Sequence, residues 1–145
     1  MSFIIGIDPD LKASGVAIVV RNKISELKNM PFPELIEYIT ALAADNEIMV
    51  KLEDVNAWSG VKHRAGTGPA AMRKISQNVG QVKAVATLIK QSLNSKGIDV
   101  HLVRPLKGEV KMQAKKNSAY FNKLTGWTGR SNEDNRDAAL IALHG

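Results

Sequence analysis

The chain alternates between two hydrophobic rhythms, and these set out its elements. Phe3–Asp8 is a short, β-branched run ending in an acid, which predicts a buried strand. Pro9-Asp10 and Gly15 mark a turn, and Val16–Val20 predicts a second buried strand. Asn22-Lys23 reads as a tight polar turn into a third strand over Lys23–Lys28, with Ile24 and Leu27 apolar on a half-exposed edge. Three strands joined by short turns make an antiparallel meander. Pro31 and Pro33 then open a helix through about Ala44, where Leu35, Ile36, Ile39 and Leu42 fall at helical spacing. Ile48–Val55 predicts a fourth strand. Asn56–Pro69 carries Gly60, Gly66, Gly68 and Pro69 and reads as an exposed loop. From Ala70 to Ser95, Met72, Ile75, Val79, Val82, Ala86, Ile89 and Leu93 step by three or four along one stripe of a long helix that Gly97 stops. Val100–Val103 is a short fifth strand ended by Pro105, and a basic helix is expected from about Gly108 to Lys123. Ser131 or Asn132 caps a last helix through Leu143. The order is β-β-β-α-β-α-β-α-α, an α/β arrangement without repeat or linker, and 145 residues suit a single domain over 1–145.

Composition narrows the chemistry. There is no cysteine, which excludes disulfides, thiolate metal sites and cysteine nucleophiles and fits a reducing, cytoplasmic compartment. The first residues lack a basic segment, and Asp8 interrupts their apolar run, so neither a signal peptide nor a membrane association is expected. Charge is distributed unevenly. Residues 1–60 carry a net charge of −4 and residues 61–145 a net charge of +10. Lys62, Arg64, Arg73, Lys74 and Lys83 follow one another with no acid between, and six cations from Arg104 to Lys123 face Glu109 alone. Such clusters attract a polyanion such as a phosphate backbone, although solvated basic surfaces are also common.

The acids fall at telling places. Asp8 ends the first strand and Glu53 lies late in the fourth. Asp134 and Asp137 stand three apart in the last helix, so about 300° of rotation leaves them on one face. Each has an ordinary explanation alone: a turn cap at Asp8, strand-end solvation at Glu53, and acids favoured by the dipole in a first helical turn. Together they suggest converging carboxylates at the edge of an apolar core, whose repulsion needs cations to offset it. Mg²⁺ prefers oxygen ligands and retains waters, and a pair of such ions suits phosphodiester hydrolysis.

Ile4-Ile5-Gly6-Ile7-Asp8-Pro9-Asp10, followed by Ser14-Gly15-Val16-Ala17, resembles the opening of the RuvC family of Holliday-junction resolvases. Val50-Lys51-Leu52-Glu53-Asp54-Val55 is similar to that family's second acidic strand, and Asp134–His144 to its D-x-x-D-A-x-A-x-A-x-x-H ending. The resemblance spans nearly the whole chain. It implies an RNase H-like fold, a five-stranded mixed sheet of three antiparallel strands and then two parallel ones, flanked by helices. It further implies that Asp8, Glu53, Asp134 and Asp137 are catalytic and hold two Mg²⁺ ions, with Mn²⁺ able to substitute, so that water attacks the scissile phosphate in line. A homodimer acting on branched, four-way DNA goes with it, and Lys107 stands where the family tends to keep a basic residue near the phosphate. Lys111, Lys115 and Lys116 are candidates to share that role.

Two positions depart from the family pattern. Asp10 replaces a usual glycine, and Asn56 stands where an aromatic residue is usual, Trp58 being the nearest one. Trp58 either stacks on an unpaired base or anchors its loop. Lys62, Arg64, Arg73, Lys74, Lys107, Lys111 and Lys115 are expected to contact DNA. His63, His101 and His144 show no metal-ligand spacing, though His63 lies in the basic loop and His144 where the family often has histidine. Three rival readings remain: a non-cleaving binder of branched nucleic acid, an RNase H-type enzyme on RNA–DNA hybrids, and an ATPase of the actin and sugar-kinase type. The last needs two such domains to enclose its nucleotide.

Overall fold

In a computed structural model, residues 1–57 and 68–145 are described. β1 (Ser2–Asp8), β2 (Ser14–Val20) and β3 (Lys23–Met30) form the expected antiparallel meander. α1 (Phe32–Asp45) leads into β4 (Glu47–Glu53), which returns to pair with β1 in parallel. A single 3-10 turn, Val55–Ala57, follows β4. α2 (Pro69–Ser95) then crosses to β5 (Val100–Val103), parallel to β4 at the sheet edge. The strand order is β3-β2-β1-β4-β5, the mixed sheet anticipated above. Among the described residues no helix is long and apolar enough to cross a membrane.

Three boundaries differ from the expectation, each for a local reason. The hairpin turn falls at Arg21-Asn22, one residue early, where both residues have positive φ (52° and 64°). That is the backbone twist a two-residue hairpin requires. Val55 leaves the strand for the 3-10 turn. The basic helix expected over 108–123 is two helices, α3 (Glu109–Lys116) and α4 (Ser118–Thr125). Asn117 divides them: its backbone is extended, and its side chain accepts the Tyr120 N–H at 3.1 Å as the cap of α4.

Alternation along the strands assigns the two faces of the sheet. Ile5, Ile7, Val16, Ile18, Val50 and Leu52 enter one core with Leu35 and Ile39 of α1 and Ala86, Ile89 and Leu93 of α2. On the other face, Ala17 joins Ala138, Ala139 and Leu140 of α5 (Glu133–His144), with Ala114 of α3 and Phe121 of α4. α5 lies across β1 and β2 so closely that two glycines are required. A Cβ on Gly6 would run into the Ala138 carbonyl oxygen, and one on Gly15 into the backbone of Asp134. Small residues on both surfaces thus bring the backbone of α5 down onto the sheet. The N-terminus of α5 is further tied by a capping box between Asn132 and Asn135, and both side-chain amides donate to Asn29 Oδ1 of β3, at 2.7 and 3.0 Å.

The close approach predicts that Gly6→Ala destabilises the protein by about 1–3 kcal/mol, the usual cost of overpacking a filled core. Chemical denaturation should register the loss. A wild-type midpoint would mean that α5 is free to ride over the added methyl.

Candidate active site

β1 and β4 are parallel neighbours, in register from Ser2 opposite Glu47 to Ile7 opposite Leu52. Their next residues, Asp8 and Glu53, therefore end adjacent strands side by side. Both alternate to the face that α5 covers, opposite to Ile7 and Leu52. Because Gly6 and Gly15 hold α5 against that face, Asp137 comes down onto the same strand ends. One carboxylate oxygen from each of Asp8, Glu53 and Asp137 lies within 4.8 Å of the others. Glu53 and Asp137 are buried and Asp8 is half-buried.

Charge crowding follows. Burial, then the neighbouring Asp137 and Glu53 carboxylates, push the Asp8 carboxyl up to about 9 from an ordinary 3.8. Burial and Asp137 likewise raise Glu53. Two ammonium groups from α3 oppose the crowding. Lys111 Nζ lies 3.3 Å from Asp137 Oδ1, and Lys115 Nζ 3.5 Å from Oδ2. Burial alone would lower the Lys115 ammonium, but Asp137, Asp8 and Glu53 outweigh it, and its pKa is raised.

Asp134 stands apart from this trio. It is half-buried, one turn nearer the start of α5, and is raised mainly by burial and by Asp10 across the β1–β2 turn. Asp10 accepts the Leu11 N–H, and its own N–H donates to the buried Ser14 hydroxyl at 3.1 Å, which holds that turn beside Asp134. Asp134 and Asp137 are three apart in α5, so one turn separates their heights.

Lys107 is exposed ahead of α3, and the ammonium groups that meet the trio belong to Lys111 and Lys115. Arg73 and Lys74 are exposed on the first turns of α2. Trp58, Lys62, His63 and Arg64 lie outside the described residues. His144 is exposed two turns along α5 from Asp137, about 10 Å away along the axis, so it does not join the acids. Asp54 accepts the Asn56 N–H at 3.1 Å and donates its own N–H to Val103, shaping the exit from β4. Sequence reasoning passed over Arg136, which is buried beside Asp137, and Lys51, whose ammonium donates to the Ala142 and Gly145 carbonyls at the end of α5. Lysine on the α5 face of β4, by strand alternation, was the available signal for the second.

The donor set suits a hard divalent cation. All three ligating groups are carboxylates, as Mg²⁺ and Mn²⁺ prefer. Asp137 Oδ1 is buried and makes no hydrogen bond, because Lys111 approaches it out of alignment. A buried carboxylate oxygen left in this state calls for a partner. Asp8, Glu53 and Asp137 could hold one such ion.

No protein-family model matches the chain, and no curated protein sequence does. Ten solved chains do match in fold. One is T. thermophilus RuvC in complex with a Holliday junction substrate, aligned over 99% of this chain and 91% of that one, with a TM-score of 0.59 and 16% identity. The chain therefore has the RNase H-like, RuvC-type fold, with an acidic trio that could hold a metal ion.

Proposed function

We propose that this chain is a divalent-metal-dependent endonuclease that cuts branched DNA, four-way junctions above all. The observation that carries the proposal is the meeting of Asp8, Glu53 and Asp137 at the ends of two parallel strands beneath one helix. Bound Mg²⁺ would supply water activation and neutralise charge on the phosphate and leaving oxygen. Asp8, Glu53 and Asp137 would hold and orient that metal, and Asp134 at the rim is the proposed ligand for a second ion. Lys111 and Lys115 hold the acids' charge in balance before substrate arrives. Next to a bound backbone they are placed to meet phosphate oxygens, which makes them stronger candidates than Lys107 for cationic help near the scissile bond. Arg73, Lys74 and Lys107, with Lys62, Arg64 and Trp58 of the 58–67 segment, are proposed to engage the arms of the junction.

The basic charge of residues 61–145 supports nucleic acid as the ligand. The T. thermophilus RuvC structure is a complex with a Holliday junction, which supports a branched substrate over a hybrid duplex. Paired cuts need two symmetric sites, so a homodimer is part of the proposal.

A comparison of four-way junction, flap, duplex and RNA–DNA hybrid substrates tests the reading, each with Mg²⁺ and with EDTA. Symmetric nicks in the junction, lost in EDTA, are expected. Preferential cutting of the hybrid would move the assignment to an RNase H-type enzyme. Junction binding without any cutting would leave only a binding protein.

A further inference from the structure

We infer that Arg136 is the positioning residue of this site: a buried strut that sets the Lys115 ammonium against the acidic trio. The inference rests on the nuclease reading above and adds a residue that makes no ion pair with the acids among the described residues.

Arg136 follows Asn135 and precedes Asp137 in α5, yet it is only 7% exposed. Its Nε donates to the Lys115 backbone carbonyl at 2.7 Å, and its Nη1 donates to Ser131 Oγ at 2.9 Å. These two bonds leave the planar guanidinium in different directions and reach different elements. One goes to the last turn of α3, and the other to the residue before the cap of α5. A free carbonyl near the end of a helix is a natural acceptor for such a donor. The consequence lies in what Lys115 does next. Its carbonyl is held by Arg136 while its ammonium contacts the very next residue of α5, Asp137 Oδ2, at 3.5 Å. Neighbouring residues of one helix thus grip the backbone and the side chain of the same lysine.

Electrostatics makes the arrangement more than a brace. No carboxylate lies within ion-pairing distance of Arg136 among the described residues. The two bonds of the buried guanidinium go to neutral acceptors, so no direct ion pair cancels its charge, and it stands next to Asp137 in α5. Lysine could not substitute: its single ammonium cannot span both acceptors with the fixed fork of arginine, and it is more strongly hydrated. Glutamine has the donors for one arm but not the charge.

Arg136→Lys and Arg136→Gln, with Ser131→Ala and Lys115→Ala, test this with two readouts. In the metal-free protein, labelling of Lys115 by an amine-reactive ester, followed by peptide mass spectrometry, should rise at least about 3-fold in both Arg136 variants. In junction cleavage with Mg²⁺, kcat should fall about 10-fold or more with KM within about 3-fold, and Arg136→Lys should fail to rescue it. In a Lys115→Ala background, Arg136→Gln should cost little further in kcat, since the two changes remove one function. If the arginine variants do not fold, Ser131→Ala must still raise Lys115 labelling. Unchanged labelling, or full additivity of the two losses, would overturn the inference. A wild-type protein that cuts no DNA would instead sink the nuclease reading, and the labelling would still decide whether the strut exists.

Discussion

Asp8→Asn and Glu53→Gln are each expected to reduce junction cleavage by about 10³-fold or more while leaving junction affinity within about 3-fold. Losing a ligand from a metal-assisted hydrolysis removes charge stabilisation present only as the bond breaks, and a thousandfold corresponds to about 4 kcal/mol of barrier. On the proposed reading, affinity rests on cations that meet the phosphate backbone. Asp137→Asn should be as damaging to catalysis, but it also strips Lys111 and Lys115 of their partner, so a loss of stability should accompany it. Asp134→Asn should cost less, about 10–100-fold, because that carboxylate stands outside the trio. Single-turnover rates on a labelled junction, beside gel-shift affinities, separate these outcomes. Equal losses in rate and affinity would mean that the acids serve binding or folding alone.

Without metal, the protein should become less stable as pH rises, the reverse of the usual carboxylate behaviour. Asp8 is the cause. A carboxyl whose pKa is raised on folding binds its proton more tightly in the native state. Its contribution is therefore complete below the ordinary value of 3.8 and is lost as pH climbs towards about 9. Glu53 and Asp134 are raised as well and act in the same direction. A divalent cation bound by the trio would oppose the trend by stabilising the ionised acids. At roughly 100-fold excess over its dissociation constant, a native-state ligand adds about 2.7 kcal/mol, or roughly 5–10 °C in Tm for a chain of this size. Thermal unfolding from about pH 5 to 8 should show the Mg²⁺ increment growing with pH. Asp8→Asn should raise the metal-free Tm near neutrality and diminish the increment. An increment independent of pH, and intact in Asp8→Asn, would place the metal somewhere else.

Much of this site could be read before any coordinates. Ile4–Asp8 and Val50–Glu53 are parallel neighbours; the first is a β-branched run and the second places Val50 and Leu52 two apart, and each ends in an acid. Asn132 and Pro31 punctuate their helices in the expected way. What stayed hidden depends on helix phase and on contacts between elements. The α3–α4 stretch reads as one basic helix because Asn117 is as compatible with an exposed helical position as with a cap. Lys107, Lys111 and Lys115 are equivalent cations until the first turn of α3 is fixed. Only then do Lys111 and Lys115, four apart, face α5 together, with Lys107 left ahead of the helix. Arg136 looks like a surface residue by type, and nothing in its neighbours announces that the Lys115 carbonyl awaits it. Gly6 and Gly15 were legible as parts of a motif, but their physical task, admitting the α5 backbone, emerges only from packing.

Diffraction from crystals soaked in Mn²⁺, with anomalous differences recorded at the manganese edge, probes the metal centre most directly. A peak coordinated by oxygens of Asp8, Glu53 and Asp137 is expected, with Lys111 and Lys115 drawn off Asp137. Manganese bound elsewhere, with that carboxylate trio still closed around its lysines, would contradict it.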